Sequence, residues 1–181
     1  RHSKLTLAQK YIDYKQQLSN ALGSIHPAYI EEFAGLIEVA TQNGNNIYVC
    51  GNGGSAAIAE HLTCDCMKGI STNSRLSPKV ISLASNFPLI SAIANDISYA
   101  DVFSTQLHML NPKYEDILIA ISSSGNSPNI IQAIKMANKK KMIVIAMVGF
   151  DGGEAKNLAN YPLHVRSHNY GVVEDTHQSI M

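Results

Sequence analysis

The stretch Val49 to Gly69 reads VCGNGGSAAIAEHLTCDCMKG, and its first seven residues decide how the chain is taken. An apolar run, Ile47 to Cys50, stops at Gly51-Asn52-Gly53-Gly54-Ser55, and a helix-like segment follows at once. A strand that gives way to a helix through glycines opens a strand–helix–strand alternation. Working outward, the same alternation recurs. The runs 46–50, 79–83, 116–121, 142–148 and 161–165 read as strands. Between and after them, 55–69, 87–94, 99–110, 127–139 and 153–160 carry helical patterns, and a further helix starts near Val172. Three of the runs are nearly continuous Ile, Val, Leu and Ala, as strands covered on both faces must be. The expectation is an α/β fold: a doubly wound, five-stranded parallel sheet flanked by helices.

Ahead of the sheet, residues 3–22 and 28–43 read as two helices, parted by Gly23 and by Pro27 at a helix start. Both carry apolar stripes that the alternating sheet does not need. The expected organisation is one domain over 1–181, with 1–44 as oligomerisation helices and 45–181 as the α/β core. Packed against copies of themselves, these helices would form the central bundle of a homotetramer. No linker divides the chain into two smaller domains. Arg1 and Met181 read as cut ends, the latter inside a helical pattern.

At 181 residues and 45% hydrophobic, the chain can bury a substantial core. Fourteen basic residues balance fourteen acidic ones, so there is no basic face for a nucleic acid. Lys139-Lys140-Lys141 reads as a solvated helix end, where cations are favoured. No apolar span is long enough for a membrane helix. Three cysteines make no disulfide framework. Cys64 and Cys66 would point to nearly opposite sides of a helix, so they read as structural thiols in a reducing cytoplasm.

Ligands of a parallel sheet bind beyond the carboxyl ends of its strands, so the residues after each run carry the search. After the third run stand Ser122-Ser123-Ser124-Gly125-Asn126-Ser127-Pro128, then a helix. Ser127 suits an N-cap and Pro128 a first helical position. A helix start presents free N–H groups and the positive end of its dipole, which favour a phosphate, and four hydroxyls add donors there. Serine-rich turns also cap helices in proteins that bind nothing. The glycines of the first loop permit close backbone approach, and Ser55 could cap the next helix. Neither the dinucleotide fingerprint nor a P-loop is present. Two polar loops at strand ends of one sheet suggest a phosphorylated ligand that is not a nucleotide.

Together, CGNGGSA, ISSSGNSPNII and GFDGGEAKNLA resemble the sugar isomerase (SIS) domain family. The pairing of GNGGSA with His61 and with Ala94-Asn95-Asp96 is similar, within it, to the phosphoheptose isomerases, and the likeness runs from end to end. The resemblance implies that Ser122, Ser124 and Ser127 grip the substrate phosphate with help from Ser123. Asn52, Gly53, Gly54 and Ser55 would lie along the sugar, and Asn95 and Asp96 would touch it. Read alone, Asn95-Asp96 is an ordinary turn.

His61 and Asp65, spaced i, i+4, share one helix face and can hold a divalent metal or pair a base with its orienting partner. An isolated pair of this kind is more often a surface contact. The resemblance places His61 at a zinc ligand, and implies that Asp65 and Glu174 are metal ligands and catalytic carboxylates. Two departures stand out, because the family usually has glutamate at the Asp65 position and glutamine at that of Glu174. The family's last catalytic histidine would fall one residue past Met181. His177 matches a different family histidine and is expected to support the site rather than act as its base. The implied activity is ketose–aldose isomerisation of a sugar phosphate through an enediol, with sedoheptulose 7-phosphate as substrate. A rival from another class is a non-catalytic SIS protein that binds a phosphosugar or a replication or regulatory partner. Members resembling the replication-associated branch tend to break the glycine and serine loops and lose the acids, and this chain keeps both. An aminosugar or pentose phosphate isomerase would also fit the phosphate loop, but it explains His61 less well.

Overall fold

The computed structural model describes residues 5–181. Five parallel strands form one sheet: β1 (Asn46–Gly51), β2 (Lys79–Ser82), β3 (Ile117–Ser122), β4 (Ile143–Val148) and β5 (Tyr161–His164), in the order β2-β1-β3-β4-β5. All five agree with the apolar runs to within a residue at either end. From β1 the chain steps out to β2, then returns to the other side of β1. The order therefore reverses between β1 and β3, where a ligand crevice is expected.

The helices are α1 (Leu7–Gly23), α2 (Pro27–Gln42), α3 (Gly54–Cys64), the single turn α4 (Ser71–Asn73), α5 (Phe87–Asp96), α6 (Val102–Leu110), α7 (Pro128–Lys139), α8 (Gly153–Leu158) and α9 (Tyr170–Ile180). The first helix was expected from residue 3, and that residue lies outside those described. Alternate strand residues divide between the two faces. Tyr48, Cys50, Leu118, Ala120, Val144 and Ala146 pack under α5, α6, α7 and α8. Ile47, Val49, Ile119, Ile121, Ile145 and Met147 pack under α2 and α3. A third cluster joins Ala21 of α1 to Leu163 of β5 and to Val172 and Val173 of α9. This clamp makes α9 a wall beside the crevice.

Three local expectations change. Residues 55–69 do not form one α-helix: α3 runs into a wider π-helical segment, Asp65–Ile70. Ser55 does not cap α3, because Gly53, with φ of +52°, ends the loop two residues earlier and Ser55 lies inside the helix. Asn95 and Asp96 are the last residues of α5 rather than a turn after it. The cysteines follow expectation: all three are free, Cys64 exposed and Cys66 buried.

Candidate active site

Beyond β1 and β3 lies a cavity of about 150 Å3, lined by Asn52, Ser55, Ser122, Ser123, Ser124, Ser127 and Glu174, with Ile121 and Tyr170. Both expected loops therefore reach one cavity. Ser127 takes the N-cap backbone position of α7, yet its hydroxyl makes no bond to the helix start and stands 3.5 Å from Ser122 Oγ. The Ser123 hydroxyl is buried without a partner. Hydroxyls left unspent beside a helix N-terminus are what an anion would use.

The loop keeps its shape through its neighbour. Gly125, at φ +69°, lies so close to the loop after β4 that an added Cβ would sit 2.0 Å from the Gly152 carbonyl oxygen. Its own carbonyl accepts from the N–H of Ala155 at 2.9 Å. The glycines of GFDGG thus hold the serine loop and do not line the cavity.

On the opposite side Asn52 is held by its side chain. It exchanges two 2.8 Å hydrogen bonds with Asn129, the second residue of α7, and its Oδ1 also accepts from the Tyr99 hydroxyl at 3.1 Å. Glu174 hangs from the first turns of α9 over the start of α3. A Cβ on Gly54 would lie 2.6 Å from Glu174 Oε2, so the carboxylate occupies the space a side chain would need. The placement suits an anion, because the N-terminus of α3 is the positive end of its dipole.

One turn of α9 is tied to α1 where Tyr14 donates to Asp175. Burial first, then the Asp175 carboxylate, push the Tyr14 hydroxyl up to about 12, so it stays a donor at neutral pH. Tyr170 packs against Phe150 with ring centroids 4.6 Å apart.

Away from the cavity, His61 Nε2 and Asp65 Oδ2 stand 3.2 Å apart on an exposed face, and the Gln178 amide meets His61 Nδ1 at 2.6 Å. Asn95 and Asp96 are exposed and bond to each other at 2.8 Å. The cavity wall named above includes neither pair. His177 is fully buried, with Nε2 at 3.3 Å from the Val148 carbonyl oxygen, and burial lowers its pKa to about 4. It is a core histidine and belongs to the packing of α9.

Residues 10–149 match the SIS domain model. The chain is 36% identical over 162 residues to a phosphoheptose isomerase of Synechocystis sp., covering 90% of this chain and 82% of that protein. It is 34% identical over 171 residues to one of Helicobacter pylori, covering 94% and 88%. The chain belongs to the phosphoheptose isomerase family. A solved phosphoheptose isomerase from Francisella tularensis superposes with a TM-score of 0.89 at 30% identity, over 97% of this chain and 94% of that one.

For a phosphoheptose isomerase family member the metal expectation has a geometric test. A separation of 3.2 Å suits two donors each roughly 2.0–2.1 Å from one tetrahedral ion. The Gln178 amide nitrogen stands on the second ring nitrogen; a metal on Nε2 requires that amide turned so that its oxygen accepts from Nδ1–H. His61 and Asp65 fit as a pair of ligands. Glu174 does not join them within the chain, and among the described residues no three His, Cys, Asp or Glu side chains gather. The sequence reading missed Tyr14, Tyr99, Asn129, Tyr170 and Gln178. Only Gln178 carried a signal, its i, i+4 spacing from Glu174.

Proposed function

We propose that the protein interconverts sedoheptulose 7-phosphate and a D-glycero-heptose 7-phosphate through an enediol, as a step in making heptose for surface polysaccharide. The observation that carries this reading is the serine-lined cavity at the start of α7, with a carboxylate on its far wall. Ser122, Ser123, Ser124 and Ser127 take the phosphate, which anchors a long substrate away from its reacting carbons. The Glu174 carboxylate removes a proton from C1 of the ketose and returns one to C2. In the same exchange the C2 carbonyl oxygen gains a proton and O1 gives one up, leaving the aldehyde. Asn52 and Ser55 lie along the sugar, and Asn95 and Asp96 approach it from the end of α5.

His61 and Asp65 would supply two ligands of a divalent ion such as zinc, a group that when bound can act on a sugar carbonyl as a Lewis acid. Metal analysis of protein purified without chelator or affinity metal should find the ion, and His61→Ala should lose it. We further propose a homotetramer in the cytoplasm, where three free thiols are at home. Among the described residues no helix is long and apolar enough to cross a membrane.

The test of the function is turnover of sedoheptulose 7-phosphate followed by proton NMR. Ser124→Ala should raise KM about 10–100-fold, as expected for one lost charge-assisted bond. Absence of turnover by the metal-loaded wild type would overturn the reading.

A further inference from the structure

The Asn52 carboxamide is more fully engaged than a ligand-binding amide need be. Its oxygen has two lone pairs, and both are taken, one by Asn129 and one by Tyr99. One of its two N–H groups donates to Asn129. What remains for a ligand is a single N–H. Asn129 is 1% exposed and closes the reciprocal pair from beneath. Tyr99 reaches Asn52 from the short 3-10 turn Tyr99–Asp101, three residues after Asp96. Its hydroxyl thus ties the segment carrying Asn95 and Asp96 to the β1 loop.

We propose that Tyr99 and Asn129 are positioning residues for the sugar end of the ligand, fixing Asn52 as a pure donor that selects an oxygen acceptor on the sugar chain. This deepens the phosphosugar reading of the cavity and rests on it. Neither side chain lines the serine cavity, so what they do through Asn52 belongs to the sugar and not to the anion. A hydroxyl or carbonyl oxygen satisfies the one free N–H. A ligand group that can only donate leaves that N–H unpaired and finds no free acceptor on Asn52.

The experiment is a cycle of wild type, Tyr99→Phe, Asn52→Ala and the double variant. Tyr99 is exposed, so removing its hydroxyl leaves the core intact. KM and kcat are measured with sedoheptulose 7-phosphate, and inhibition with inorganic phosphate. Losing one neutral hydrogen bond in Tyr99→Phe should raise KM about 2–10-fold with kcat nearly unchanged. Inhibition by phosphate should not move. In the Asn52→Ala background the Tyr99 change should add nothing.

Three results would overturn the proposal: an unchanged KM, an equal weakening of phosphate, or the same KM rise without Asn52. If the wild type binds the sugar phosphate but does not turn it over, the isomerase reading fails. Dissociation constants from calorimetry then decide the cycle on the same criteria. A wild type that binds phosphate but not the sugar phosphate overturns the inference as well.

Discussion

At Gly54, α3 and α9 compete for one space. An alanine Cβ there would lie 2.6–2.9 Å from three atoms of the Glu174 carboxyl group, the far end of a flexible side chain. Gly54→Ala is expected to fold, with its unfolding free energy changed by about 1 kcal/mol or less, because the carboxylate can retreat. Retreat by an ångström costs roughly 100-fold in rate when the displaced group is the proton carrier. The expected outcome is a fall in kcat with phosphate inhibition unchanged, and a variant with full kcat would remove Glu174 from that role. The two loops were legible in the sequence because both follow strands of one sheet, where two polar loops together point to a ligand and a serine-rich turn alone would not. The Asn52–Asn129–Tyr99 set was not, since its members are far apart in the chain and no spacing rule joins them. His61 and Asp65 were legible as a pair, but their distance from Glu174 depends on how α9 lies along α3.

At the scale of elements, α9 carries the least regular chemistry. His177 sits inside it with Nδ1 unpartnered and a folded pKa lowered to about 4, against an ordinary 6.5. The unfolded chain therefore binds the proton more readily than the folded one between these values. Stability is full above about pH 6.5 and is lost as pH falls towards 4, by about 3 kcal/mol at most. Urea unfolding at pH 7.5, 5.5 and 4.5 should show this slope in the wild type and a shallower one in His177→Gln. Equal slopes would clear the histidine. The three central strands were legible nearly to the residue because two-sided burial leaves an unbroken apolar run. The π-helical segment from Asp65 was not, since a backbone that widens by one residue per turn leaves no mark in composition.

For the whole molecule, the surplus helices leave part of their apolar surface uncovered. Leu7 is 83% exposed and Ile12 62% on α1, with Val39 at 56% on α2. Beside α2 an apolar hollow of about 500 Å3, bordered by Ile30, Phe33, Leu62 and Met147, stays open. Apolar surface gathered in this way marks an association face. Light scattering at micromolar protein should give four times the 19.6 kDa chain mass, and Leu7→Glu with Ile12→Glu should lower it. A wild-type monomer with full turnover would refute the assembly. The Tyr14–Asp175 contact has a consequence for birth rather than for turnover. A ribosome releases α1 before every strand and α9 after them all, so the growing chain owns its phosphate cradle well before it owns Glu174. The crevice is closed only once α1 and α9 clasp across the strands made between them. From then on any ligand bridging serine loop and α9 resists their parting, and substrate in the cell doubles as a fastener for newly made protein.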